Sequence, residues 1–152
     1  MEKETISPKL EGVLKGIVKL KCIMPEWVLN KLEEQKTSNL TTMDETYRHI
    51  TIMNSKSTKD LRQRIKSQEH VIQWPEYPFL NLPAAKVEHV EDAEKGRETC
   101  RLTFNVKDQI RLHEWRKEFC RINNVILPKE ELNRVFHMSY ANLTGKPGDS
   151  VA

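Results

Sequence analysis

Two short stretches of this chain carry the residue types that proton-transfer chemistry needs. His49-Ile50-Thr51-Ile52 and His137-Met138-Ser139-Tyr140 share one pattern: histidine, any residue, a hydroxyl, then an apolar or aromatic residue. An imidazole titrates near pH ~6.5, so it can take or give a proton close to neutrality. Splitting a phosphodiester needs both acts, one at the attacking group and one at the leaving oxygen. Two imidazoles flanking one phosphorus would supply both without a metal. The two hydroxyls could donate to the non-bridging oxygens and hold the phosphorus in line. One histidine-x-hydroxyl motif is a weak signal, because strand histidines are often packed core residues. Two copies in matching surroundings are a stronger one.

The surroundings match. Ile17 to Met24 reads as a strand, with Val18, Leu20, Cys22 and Met24 on one face and Lys19 and Lys21 on the other. Pro25 then opens a helix over Glu26 to Gln35, and a polar loop follows over Lys36 to Glu45. The β-branched run Tyr47 to Met53 forms the strand that carries the first motif. In the second half, Thr99 to Val106 is a strand, Lys107 to Ile122 a helix with an apolar stripe, and Val135 to Leu143 the strand of the second motif. Strand, helix, motif strand: the order occurs twice, although no words of sequence repeat. On each motif strand, alternation sets the histidine and hydroxyl on one face. Ile50 and Ile52, or Met138 and Tyr140, take the other.

Between the halves, Ser57 to Asp60 resembles a capping box opening a helix with Leu61 and Ile65. The stretch Glu69 to Pro83, with Trp74, Pro75, Tyr77, Pro78, Phe79 and Pro83, reads as a long irregular loop. Ala84 to Asp92 is expected to pair with the Thr99 strand as a hairpin, and Gly145 to Ala152 reads as a mobile tail.

The paired motifs and the order of elements resemble the two-histidine phosphoesterase superfamily, over about residues 16 to 143. That resemblance implies one α+β domain spanning the chain, bilobal and pseudo-symmetric. Two antiparallel sheets would line a central groove, with helices outside. It also implies that His49 and His137 divide the general-base and general-acid roles, in either order, and that Thr51 and Ser139 bind phosphate. Ser139 stands where threonine is commoner in the family. Family substrates include RNA ends with 2′,3′-cyclic phosphates, 2′-5′ oligoadenylates and cyclic oligonucleotide messengers. Some viral and phage members destroy such messengers to silence host defence. A nucleotide, cyclic oligonucleotide or short RNA is therefore the expected partner, with no cofactor, no catalytic metal and no DNA duplex.

Other residues are double-edged. Lys19, Lys21 and Arg101 could attract phosphate if their faces line the groove, or could be solvated charges. Tyr47 shares parity with His49 and could stack a base or pack in the strand. Trp74 and Tyr77 could form a base-sandwiching lid, or anchor their loop by burying themselves. His113, His70 and His89 carry less weight: His113 reads as a surface residue, and H-x-E at His89 is a poor metal signature.

Composition narrows the classes. With 152 residues, 38% hydrophobic and 31% charged, the chain can bury one real core and is no disordered or collagen-like sequence. A net charge of +3 suits a local basic cleft better than a general nucleic-acid coat. Cys22, Cys100 and Cys120 are odd in number and unpaired in spacing, as expected of buried thiols in a cytoplasmic monomer. The N-terminus has no secretory h-region, and no apolar run is long enough to cross a membrane. An enzyme is the leading class. A binding module keeping the same groove, or a partner-binding protein using the Trp74–Phe79 loop, would be the alternatives.

Overall fold

The central strands follow directly from alternation. In the computed structural model, residues 5–6, 9–11, 18–21, 24–76, 78–81 and 84–151 are described. Cys22 and Tyr77 lie outside them, as do the side chain of Lys21 and the first residue of the expected Ile17 strand. In chain order the elements are β1 (Thr5–Ile6), β2 (Lys9–Glu11), β3 (Val18–Lys21), α1 (Glu26–Gln35) and β4 (Thr41–Thr42). They continue with β5 (Ile50–Met53), α2 (Lys59–Lys66), β6 (Leu80–Asn81), β7 (Lys86–Asp92), β8 (Arg97–Thr103), α3 (Val106–Ile122) and β9 (His137–Asn142).

Val18, Leu20, Ile50, Ile52, Leu102 and Met138 are fully buried, as their parity requires, and join one apolar cluster. Val28 and Leu32 of α1, Leu61 of α2, and Leu112, Trp115 and Phe119 of α3 belong to the same cluster. Each such side chain contributes about 1.5–3 kcal/mol through its removal from water. The helices thus cover the apolar face, and the histidines and hydroxyls are left on the other.

One antiparallel sheet runs β2-β3-β5-β9-β8-β7, with β4 added on β9, while β1 and β6 form a separate pair. The two halves therefore share a sheet instead of each forming its own. They join where Ile50 pairs with Met138, the central residues of the two motifs. From that seam the order reads alike in both directions: β5, β3, β2 one way and β9, β8, β7 the other.

The likeness extends to an irregularity. Against β5, β3 shifts register between Val18 and Lys19, which pair with Met53 and Thr51. Against β9, β8 shifts between Cys100 and Arg101, which pair with Ala141 and Ser139. The same irregularity beside the same motif residue in each half is a feature of the fold, since bulges re-aim side chains near functional sites.

Several expectations are corrected in detail. The first motif strand begins only at Ile50, because Glu45–Tyr47 is a 3₁₀ turn capped by the Asp44 carboxylate. The loop after α1 contains β4, which pairs with β9. The capping box does not form: α2 starts at Lys59 without a side-chain cap, and Asn54 Oδ1 accepts from the Ser57 N–H instead. The C-terminal stretch is tied down. The Asn142 amide donates to Lys146 O (2.7 Å) and Ser150 Oγ (2.9 Å), and the Val151 N–H donates to Thr99 Oγ1 (2.8 Å). Both Asn142 and Thr99 are fully buried, so these bonds hold the segment to the sheet. Among the described residues no helix is long and apolar enough to cross a membrane.

Candidate active site

Antiparallel pairing at Ile50 and Met138 has a geometric consequence. Continued one residue either way, that register sets His49 opposite Ser139 and Thr51 opposite His137. Opposed residues on one face have Cβ atoms about 4.5–5.5 Å apart, and diagonal ones stand roughly 7–8 Å apart. The two imidazoles are such a diagonal pair, with the hydroxyls on the other diagonal. All four side chains line one cavity of about 320 Å³. Tyr47 and Met43 line it as well, Tyr47 with nearly half its surface exposed.

Both rings are held in the same way. His49 Nδ1 lies 3.0 Å from the carbonyl oxygen of Tyr47, and His137 Nδ1 lies 3.2 Å from that of Val135, two residues upstream in each case. A carbonyl oxygen can only accept, so Nδ1 carries the proton in both rings. Neutral imidazole then has its lone pair on Nε2. At His49 that nitrogen lies 3.2 Å from Thr51 Oγ1, which donates to it. Burial pushes the His137 pKa down to about 4, reinforced by the Arg101 and Arg134 guanidinium groups and opposed by the Val135 carbonyl and Glu88. At neutral pH His137 is therefore a free base.

The segment leading into the second motif is pinned by the polar side of α3. Gln109 donates to Phe136 O (2.7 Å) and accepts from the Phe136 N–H (2.8 Å). His113 Nε2 donates to Arg134 O (2.8 Å), and Arg116 donates to Glu131 O (2.8 Å). His113 is thus half-buried, with its ring edge against Phe136, and is no surface residue. Burial and the neighbouring Arg116 lower its pKa, which keeps Nδ1 open to accept from Arg116. His70 bonds to Asn123, and His89 lies near Glu98, both away from the cavity lining.

The other expected site residues divide. Lys19 pairs across the strands with Thr51 and Arg101 with Ser139, so each flanks a motif hydroxyl in its half. Neither is among the residues that line the cavity. Arg101 turns to the Glu88 carboxylate, 3.6 Å away. Trp74 does not form a lid: it stacks on Phe119 at 5.3 Å between ring centroids, on the helix-covered side. Its loop is anchored by this aromatic contact.

Four further residues complete the cavity: Asn54, Arg134, Ser150 and Val151. Arg134 follows a 3₁₀ turn, Lys129–Asn133, and stands three residues before His137. The acid-to-base spacing of Glu131 and Arg134 was the available signal for it. Ser150 and Val151 had no local signal, because the buried Asn142 amide and Thr99 hydroxyl bring them there. No family model, curated protein or solved structure matches this chain, so the chemistry is read from its own residues.

Proposed function

We propose that this chain is a metal-independent phosphodiesterase acting on oligonucleotide or cyclic-oligonucleotide phosphodiesters, with His49 and His137 as its proton-transfer pair. One observation carries the reading: two histidine-x-hydroxyl motifs meet at a single strand pair and line one cavity. Each imidazole has Nδ1 tied to a carbonyl, so Nε2 is the working nitrogen in both. The like order of strands about the seam, with its matching irregularities, supports a bilobal two-histidine phosphoesterase arrangement.

In this mechanism one imidazole accepts the proton of the attacking hydroxyl as its oxygen bonds to phosphorus. The other gives its Nε2 proton to the leaving oxygen as the P–O bond breaks, so no charged alkoxide is released. His137, a free base at neutral pH, suits the first role. The phosphodiester anion favours the imidazolium form that the second role needs. Thr51 and Ser139 donate to the non-bridging oxygens. A cavity of about 320 Å³ takes the phosphate and part of an adjoining nucleoside, with Tyr47 exposed beside it to stack a base. Such an activity would also serve to destroy nucleotide messengers of antiviral defence.

The test is a panel of 2′-5′, 3′-5′ and 2′,3′-cyclic phosphodiesters incubated with the protein in EDTA and read by product mass. Cleavage that survives chelation and is lost in His49→Ala and His137→Ala supports the reading. Tight binding without product would make the chain a binding module, and full activity in either variant would overturn the proton-transfer assignment.

A further inference from the structure

The motif residues supply proton transfer and hydroxyl donors, but no fixed positive charge. Among the described residues lining the cavity, Arg134 is the one that carries such a charge. Its guanidinium is held by the carboxylate of the preceding turn. Its Nε donates to Glu131 Oε2 (2.6 Å) and its Nη2 to Glu131 Oε1 (2.9 Å), a side-on fork. Glu131 is itself 5% exposed and accepts from Asn54 Nδ2 (2.8 Å) through the same Oε1. Arg116, fully buried in α3, approaches Glu131 Oε2 at 3.4 Å and donates to its backbone carbonyl. The Arg134 hydrogen bond, with the charges of Arg134 and Arg116, holds the Glu131 carboxyl below its usual range, so it stays ionised.

The charge count matters here. One carboxylate faces two guanidinium groups, and of the two it is Arg134 that lines the cavity. Arg134 spends two of its five N–H groups on Glu131, which leaves its Nη1 edge for a ligand. A planar fork of this kind matches the paired oxygens of a phosphate. Its backbone carbonyl is fixed by His113, so both ends of the residue are set before any ligand arrives.

We infer that Arg134 is the anion anchor of this cavity, gripping the non-bridging oxygens of the bound phosphate, and that Glu131 and Asn54 are the positioning residues that aim it. The inference deepens the phosphodiesterase reading and rests on it for the identity of the anion's bearer. Arg134 takes the place that Arg101, paired with Glu88, was expected to fill. Its position beside His137 also couples binding to proton transfer. Arg101 from β8 and Arg134 disfavour the imidazolium, Glu88 from β7 favours it, and a phosphate neutralising Arg134 would release part of that restraint.

The experiment is a titration of inorganic phosphate into wild type, Arg134→Ala, Arg134→Lys and Glu131→Gln at neutral pH, followed by the His137 imidazole resonances. Arg134→Ala is expected to weaken phosphate binding about tenfold or more, with Arg134→Lys in between because it keeps the charge and loses the fork. Glu131→Gln should weaken binding by a few-fold while keeping the guanidinium. The His137 titration midpoint should rise in Arg134→Ala, a change that a purely structural role would not produce. Thermal melts of the same samples check folding, and Arg134→Lys keeps the test decisive if the alanine variant unfolds. Wild-type phosphate affinity in both Arg134 variants overturns the inference. The two readings fail separately: Arg134-dependent phosphate binding in a protein that cleaves no phosphodiester sinks the enzyme and leaves the anchor. Cleavage with an unchanged KM in Arg134→Ala does the reverse.

Discussion

The two halves of the sheet present the same groups in unequal settings. In the first, His49 sits just before β5, after a 3₁₀ turn, with Thr51 donating to its Nε2 and the exposed Tyr47 beside it. In the second, His137 stands on β9 after a segment that Gln109, His113 and Arg116 clamp from a 17-residue helix. The first-half helix has 10 residues and lends the motif no such clamp among the bonds described. A near-symmetric repeat therefore supplies two equivalent imidazoles, and the surroundings make them inequivalent. Burial and two guanidinium groups strip the proton from His137. Environments that set acid and base apart are how paired titratable groups divide labour.

The largest way to break the comparison is to remove either imidazole. His49→Ala and His137→Ala are each expected to lower kcat by about 10²–10⁴-fold, the usual worth of general acid–base catalysis, with circular dichroism unchanged. A variant that keeps wild-type turnover would show that one half works alone. Next come two carboxylates, Glu131 of the second-half turn and Glu33 of the first-half helix. Glu131→Ala leaves the buried Arg116 without its partner and should cost about 3–5 kcal/mol in urea denaturation. Glu33 of α1, which accepts from Thr42 of β4 and from Tyr140 of the second motif, is half-exposed, and Glu33→Ala should cost only about 1 kcal/mol. Equal costs would deny that the buried Glu131 cluster is the locked one.

A separate effect lies in pH. The unfolded chain protonates its histidines near pH ~6.5, whereas folded His137 refuses the proton until about 4. Unfolding therefore takes up a proton in that window, so stability should fall as pH drops from about 6.5 to about 4. His137→Asn should flatten that part of the pH–stability curve, and an unchanged slope would contradict the burial of the ring. The smallest effect is expected at Trp74. Trp74→Ala removes the stack on Phe119, costs about 0.5–1.5 kcal/mol, and leaves KM for any cleaved substrate unchanged. A raised KM would return this tryptophan to the binding surface.

Much of the frame was legible because it depends on local pattern. Val18, Leu20, Ile50, Ile52 and Met138 reveal their faces by parity alone, and α1 occupies the expected Glu26 to Gln35. The two motifs were also readable, since residue type and spacing are local properties. What escaped depends on contacts far apart in sequence. Arg134 matters through its neighbour Glu131, which Asn54 and Arg116 hold from distant parts of the chain. The C-terminal segment looked mobile from its glycines and polar residues, yet the fully buried Asn142 gathers it over the cavity. Trp74 had two fates open by sequence, with the anchored loop slightly favoured, and the stack on Phe119 is the one found. Joining both halves in one sheet likewise depends on the pairing of Ile50 with Met138, which neither strand announces by itself.

The claim beneath all of this is that His49 and His137 address one phosphorus. A crystal structure of the protein with vanadate, which mimics phosphorus at the point of transfer, measures that directly. One vanadate is predicted in the cavity, with Nε2 of both rings within about 2.6–3.2 Å of its oxygens and Thr51 and Ser139 donating to others. Vanadate touching only one ring, or two ions held separately, would contradict it.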